Sequence, residues 1–155
     1  MATLSTTIIE NITLNGDKTR LVNSKDITGI NNILTRVVKL PASQNTTLAT
    51  FQTSENTADG ALDLEDTRYI RITNLSAGET VTLSLQVAAN EDGSANTSAS
   101  ILLDAGKSFM LGTVHDAISV DDSGATVVTG LTDLESIIAV CGSTEVSLEV
   151  FVATL

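Results

Sequence analysis

The chain is 155 residues long, enough for one domain with a sizeable core, and 42% of it is apolar. With aromatic residues at 3% and no tryptophan, that core has to be built from Val, Ile, Leu and Ala. A formal net charge of −11, with eight basic residues scattered from Lys18 to Lys107, argues against nucleic acid or an anionic membrane as partner, since both select for clustered Lys and Arg.

Strand signals run from end to end. Ile8, Ile12 and Leu14 mark a first strand, Asn15-Gly16-Asp17 is a turn sequence, and Thr19 to Asn23 is placed to pair back across it. Residues 1–7 hold a single apolar anchor, Leu4, and are expected to form an N-terminal arm reaching a neighbouring subunit. Gly29 to Leu34 has room for one helical turn. Ile33 to Leu40 is a β-branched run ended by Pro41, the only proline, which has no amide to donate to a ladder and fits a strand exit. Thr47 to Gln52 reads as a shorter strand, followed by a polar loop over 54–60.

Two alternating runs, Tyr69 to Leu75 and Val81 to Val87, flank the breaker Ser76-Ala77-Gly78-Glu79 and read as a β-hairpin. Val81, Leu83, Leu85 and Val87 form one row of the second run, with Thr82, Ser84 and Gln86 on its reverse, the pattern of a strand half buried on a core. Residues 90–98 are too polar to pack and read as an exposed loop. A second hairpin is expected from Ser100–Leu103 and Lys107–Leu111 around Asp104-Ala105-Gly106, with glycine where positive φ is needed. Short strands at Ile118–Val120 and Ala125–Thr129 follow. A terminal hairpin is expected from Ser136–Cys141 and the row Val146, Leu148, Val150, Val152, and Thr132 to Ser136 has room for another helical turn. Nine to eleven short strands with no internal repeat predict a single all-β domain over residues 1–155, an antiparallel sandwich of jelly-roll type.

Chemical motifs are sparse. Gly106-Lys107-Ser108 imitates the end of a P-loop, but Ile101 stands where the first glycine is required and a strand follows in place of a helix. His115 precedes Asp116, yet no Gly-x-Ser-x-Gly elbow accompanies it, and an incidental loop histidine is the simpler reading. The carboxylates Asp63-Leu64-Glu65-Asp66, Glu91-Asp92 and Asp121-Asp122 lack the spacing of a calcium loop and read as solvated turns. Cys141, the only cysteine, cannot build a disulfide framework or a thiolate zinc site and is expected to be a buried, inert thiol. The four Asn-x-Ser/Thr sequences, at Asn11, Asn45, Asn74 and Asn96, arise by chance in a chain rich in Ser and Thr. No signal peptide, membrane span, metal or cofactor is expected. Arg68 and Arg71 are the candidate interface residues. Asp63, Glu65 and Asp66 are near enough for local ion pairs, and the alternative is a bidentate pair across a subunit boundary.

The segments Leu64-Glu65-Asp66-Thr67-Arg68-Tyr69-Ile70-Arg71-Ile72-Thr73-Asn74-Leu75 and Leu103-Asp104-Ala105-Gly106-Lys107-Ser108-Phe109 bracket a Val-x-Leu-x-Leu strand. With the closing runs 134–140 and 146–152 they resemble small virion structural proteins of tailed phages, particularly those of marine cyanobacteria. That resemblance implies a non-enzymatic β-sandwich subunit that coats or completes a particle, commonly as a homotrimer. The partners it implies are further copies of the chain and the major capsid protein or other virion proteins. The location it implies is the virion, assembled in the host cytoplasm. Capsid decoration is the first expectation and a tail or baseplate place the second. A bacterial surface module binding glycans through loops such as 90–98 is the rival from another class, and a hydrolase using His115 the enzymatic one.

Overall fold

The computed structural model describes residues 2–52, 61–87, 97–112, 119–120 and 132–155. Loop 54–60, most of loop 90–98, His115, Asp116, Ile118, the carboxylates at 91–92 and 121–122, and the short strand expected at 125–129 lie outside them.

Twelve strands and no helix occur among the described residues. Strands β1 (Ala2–Leu14) and β2 (Asp17–Ile30) pair only with each other. The second sheet runs β3 (Asn32–Leu40), β12 (Val146–Thr154), β6 (Thr67–Asn74), β9 (Ser108–Gly112). Facing it is a sheet in the order β5 (Leu62–Asp63), β4 (Thr46–Gln52), β11 (Thr132–Cys141), β7 (Val81–Val87), β8 (Thr97–Leu103), with β10 (Ser119–Val120) also on β11. We call these the outer sheet (β3-β12-β6-β9) and the inner sheet.

The pairing is nested: β7 with β8, β6 with β9, β4 with β11, β3 with β12, all antiparallel. One long folded ribbon of eight strands has been wrapped so that its successive segments fall alternately in the two sheets, four strands in each, and β5 and β10 add to the inner one. The result is a jelly roll, the all-β sandwich expected from the strand spacing.

That wrapping corrects three local expectations. The breakers 76–79, 104–106 and 142–144 do not close hairpins. Each carries the chain from one sheet to the other, β6 to β7, β8 to β9 and β11 to β12. The physical reason is that alternation sets which face of a strand is buried but leaves open whether the next strand lies beside it or opposite it. The two expected helical turns are strand as well, because Ile30 and Leu134 belong to buried strand rows. Other readings hold. Pro41 follows the last residue of β3, Gly106 has φ 69°, and Cys141 is buried with its thiol directed at the Pro41 carbonyl, 3.3 Å away.

The core lies between the sheets and is aliphatic. From the inner sheet come Leu48, Val81, Leu83, Leu85, Ile137 and Ala139, and from the outer sheet Ile70, Ile72, Val146, Leu148, Val150 and Val152. Each fully buried Val, Leu or Ile contributes roughly 1.5–3 kcal/mol of transfer free energy. Phe51 is the aromatic residue that enters this core fully.

Two polar devices close the sandwich. The β4–β11 register slips between Ile137 and Ile138, which pair with Ala49 and Thr47, so Leu48 has no partner across the ladder. The Arg36 guanidinium, from β3 in the outer sheet, donates to the Leu48 carbonyl and ties the two layers together at that irregularity. Asn74 is fully buried. Its side-chain amide donates to the Glu79 and Leu103 carbonyls at 2.8 and 3.0 Å, and its Oδ1 accepts from the Ser76 amide at 3.0 Å. Its backbone bonds Lys107 and Gly106. One asparagine thereby fastens the β6–β7 and β8–β9 crossings to each other.

Candidate interaction surface on the outer sheet

The side chains of the outer sheet that point away from the core form a grid set by register. Ile33, Ala153, Tyr69 and Gly112 make one row; Thr35, Phe151, Arg71 and Met110 the next; Val37, Glu149, Thr73 and Ser108 the third. Chemistry concentrates in the middle. Arg71 Nη2 pairs with Glu149 Oε2 at 2.9 Å, its guanidinium lies 5.9 Å from the centre of the Phe151 ring, and its Nη1 donates to Thr73 Oγ1. Tyr69 meets Phe151 edge-on, with ring centres 5.9 Å apart. Gly112 is what lets Tyr69 lie over β9, since a Cβ there would stand 2.7 Å from the ring.

The base of the β1–β2 ribbon sits on the first row. Leu4, Ile27 and Ile30 pack with Ala153, Tyr69 and Phe151 in a second apolar cluster, separate from the main core. Beyond that seat the ribbon leaves the sheet. A cleft of about 670 Å3 opens between them, lined on the ribbon by Leu4 to Ile8, Asn23 and Lys25 and on the sheet by Tyr69, Arg71, Met110, Gly112 and Phe151. Every residue from Thr7 to Asp26 is exposed. Asn15 and Gly16, at φ 51° and 90°, make the tight turn that the sequence Asn-Gly favours, so the expected turn and return strand are present, on a ribbon far longer than 8–23. Residues 2–7 are the first part of β1.

Arg71 thus belongs to the cleft, with an intramolecular partner, Glu149, on the neighbouring strand β12. Arg68 stands at the start of β6 and donates to the Glu65 carbonyl. The structure does not bring Arg68 into the cleft lining. Asp63 is committed to its own turn, where Oδ1 accepts from the Glu65 amide. Among the described residues no three His, Cys, Asp or Glu side chains converge to hold a metal ion. The cleft escaped sequence reasoning because its parts come from β1, β2, β6, β9 and β12; the one legible signal was the apolar spacing Leu4, Ile8, Ile12. No family model matches the chain, and no curated protein or solved structure matches it either.

Proposed function

We propose that this chain is a non-enzymatic virion structural protein, a capsid decoration subunit that works as a self-associated assembly, a homotrimer, contacting the major capsid protein. The reading is supported most by one observation. A jelly roll with an aliphatic core carries a long ribbon whose apolar side chains stand in solvent, an arrangement suited to joining rigid copies rather than to enclosing a substrate. The sequence resemblance to small phage virion proteins points the same way. The mechanism is mechanical. The sandwich resists deformation because its interior is close-packed, and apolar area buried between copies adds about 25 cal/mol per Å2, repeated at every symmetric contact. The acidic body, which carries the whole net charge of −11, keeps unassembled copies apart.

Fractionation of purified particles tests the reading. The chain is expected to sediment with empty heads. Recovery with detached tails instead would assign it to the tail or baseplate, and absence from both would overturn the virion reading.

A further inference from the structure

The β1–β2 ribbon has two unlike faces. Cross-strand partners share a face, so register assigns Leu4, Thr6, Ile8, Glu10, Ile12 and Leu14 to one side together with Ile27, Lys25, Asn23, Leu21, Thr19 and Asp17. The reverse carries Ser5, Thr7, Asn11 and Thr13 opposite Asp26, Ser24, Arg20 and Lys18, and its one apolar pair is Ile9–Val22. The apolar face starts as a buried contact, with Ile27 6% exposed on the outer sheet. The same face then continues into solvent, where Ile12, Leu21 and Leu14 are 57%, 59% and 64% exposed. At about 3.4 Å per residue Leu14 stands roughly 34 Å along the ribbon from Leu4. Six of the eleven large exposed hydrophobic residues of the described chain are on this one ribbon.

Such an element is unfinished. A lone two-stranded hairpin is marginally stable in water and gains persistence when an apolar face is covered. The occupant can be read from charge. Residues 2–30 hold three acidic residues, Glu10, Asp17 and Asp26, and three basic ones, Lys18, Arg20 and Lys25, so the ribbon is neutral and the rest of the chain carries all of the −11. Two acidic bodies repel, but a neutral apolar ribbon meets an acidic body without that cost. A polyanion or an anionic bilayer would call for a cationic ribbon, which this is not. The body also displays the matching chemistry: its outer sheet already seats Leu4 and Ile27, and it exposes further apolar side chains at Ile33, Val37 and Met110.

We infer that the distal apolar face of the ribbon, Ile8, Ile12, Leu14 and Leu21, docks on a second copy of this chain. The inference rests on the self-association proposed above and names the surface that carries it. The seated third of the ribbon fixes its direction from the parent body, and the free two-thirds reach the neighbour.

The test is the mass of the purified chain by light scattering, compared with that of a variant carrying Ile8→Thr, Ile12→Thr, Leu14→Thr and Leu21→Thr. Threonine keeps strand propensity while removing apolar surface. The unaltered chain is expected at a multiple of 16.1 kDa, the variant at 16.1 kDa, and an Ile9→Thr/Val22→Thr variant of the reverse face at the original multiple. A monomeric unaltered chain, an undiminished mass in the fourfold variant, or equal loss in both variants would overturn the inference. Alkylation of a new thiol provides a reading that does not depend on a heavily altered ribbon. In the assembled chain Ile12→Cys should react at least tenfold more slowly than Ile9→Cys, and equal rates would contradict docking. The virion reading fails separately. A chain that is monomeric alone but still bound to particles through the ribbon assigns the ribbon to another virion protein, whereas an assembled chain absent from particles leaves the inference standing.

Discussion

The ribbon and the sandwich are written in the same pattern and end in opposite environments. Val81, Leu83, Leu85 and Val87 alternate with Thr82, Ser84 and Gln86, and that row is buried. Ile8, Ile12 and Leu14 share one face of β1, broken only by Glu10, while Ile9, Asn11 and Thr13 take the other, and the Ile8 to Leu14 row is exposed. Periodicity therefore specifies an amphipathic strand, while burial depends on whether a second apolar face is within reach in the same chain. The sandwich supplies that face to itself, one sheet to the other. Past Leu4 and Ile27, nothing among the described residues covers the ribbon, and that difference is what singles it out for the contact inferred above.

Substitutions that probe each region sharpen the contrast. The largest effect is expected in the core, where Leu83→Ala or Leu148→Ala leaves a cavity between the sheets and should lower unfolding free energy by about 3 kcal/mol in urea titration. Asn74→Ala should cost nearly as much, roughly 2–4 kcal/mol, because it removes the buried donor to the Leu103 carbonyl, the acceptor of the Ser76 amide and one of the two donors to the Glu79 carbonyl, at two crossings at once. Arg71→Ala, which removes a partly exposed ion pair with Glu149 and a cation–π contact with Phe151, should lower stability by less than about 1 kcal/mol. Smallest of all, Leu14→Thr at a concentration low enough to keep copies apart should change body stability by no more than about 0.5 kcal/mol. A loss of several kcal/mol there would mean that the ribbon is part of the body's own cooperative unit and would break the contrast.

The strands were legible because their signals are local. Pro41 ends β3, Asn15-Gly16 turns the ribbon, and the Val146 to Val152 row lines the core as its alternation requires. Partnership was not legible, because it is set by wrapping. Leu40 pairs with Val146 from the far end of the chain, so nothing near either residue announces the match. The three breakers read as hairpin turns are short enough to reverse a strand within a sheet, and the same length also spans two packed sheets about 10 Å apart. Asn74 looked like one of four chance Asn-x-Thr/Ser sequences, and only its burial reveals the five hydrogen bonds it organises. Arg71 was visible beside Arg68 with Asp63, Glu65 and Asp66 as its nearby carboxylates, but Glu149 and Phe151, which hold it, arrive from β12.

Amide hydrogen exchange of the intact chain at two concentrations tests most directly the claim that the sandwich is self-sufficient and the ribbon is completed by another copy. In dilute solution residues 8–22 are expected to exchange quickly while β6, β7, β11 and β12 stay protected, and on concentration protection should rise in the ribbon and leave the core strands unchanged. Ribbon protection that is already high in dilute solution, or that does not respond to concentration, would contradict the account.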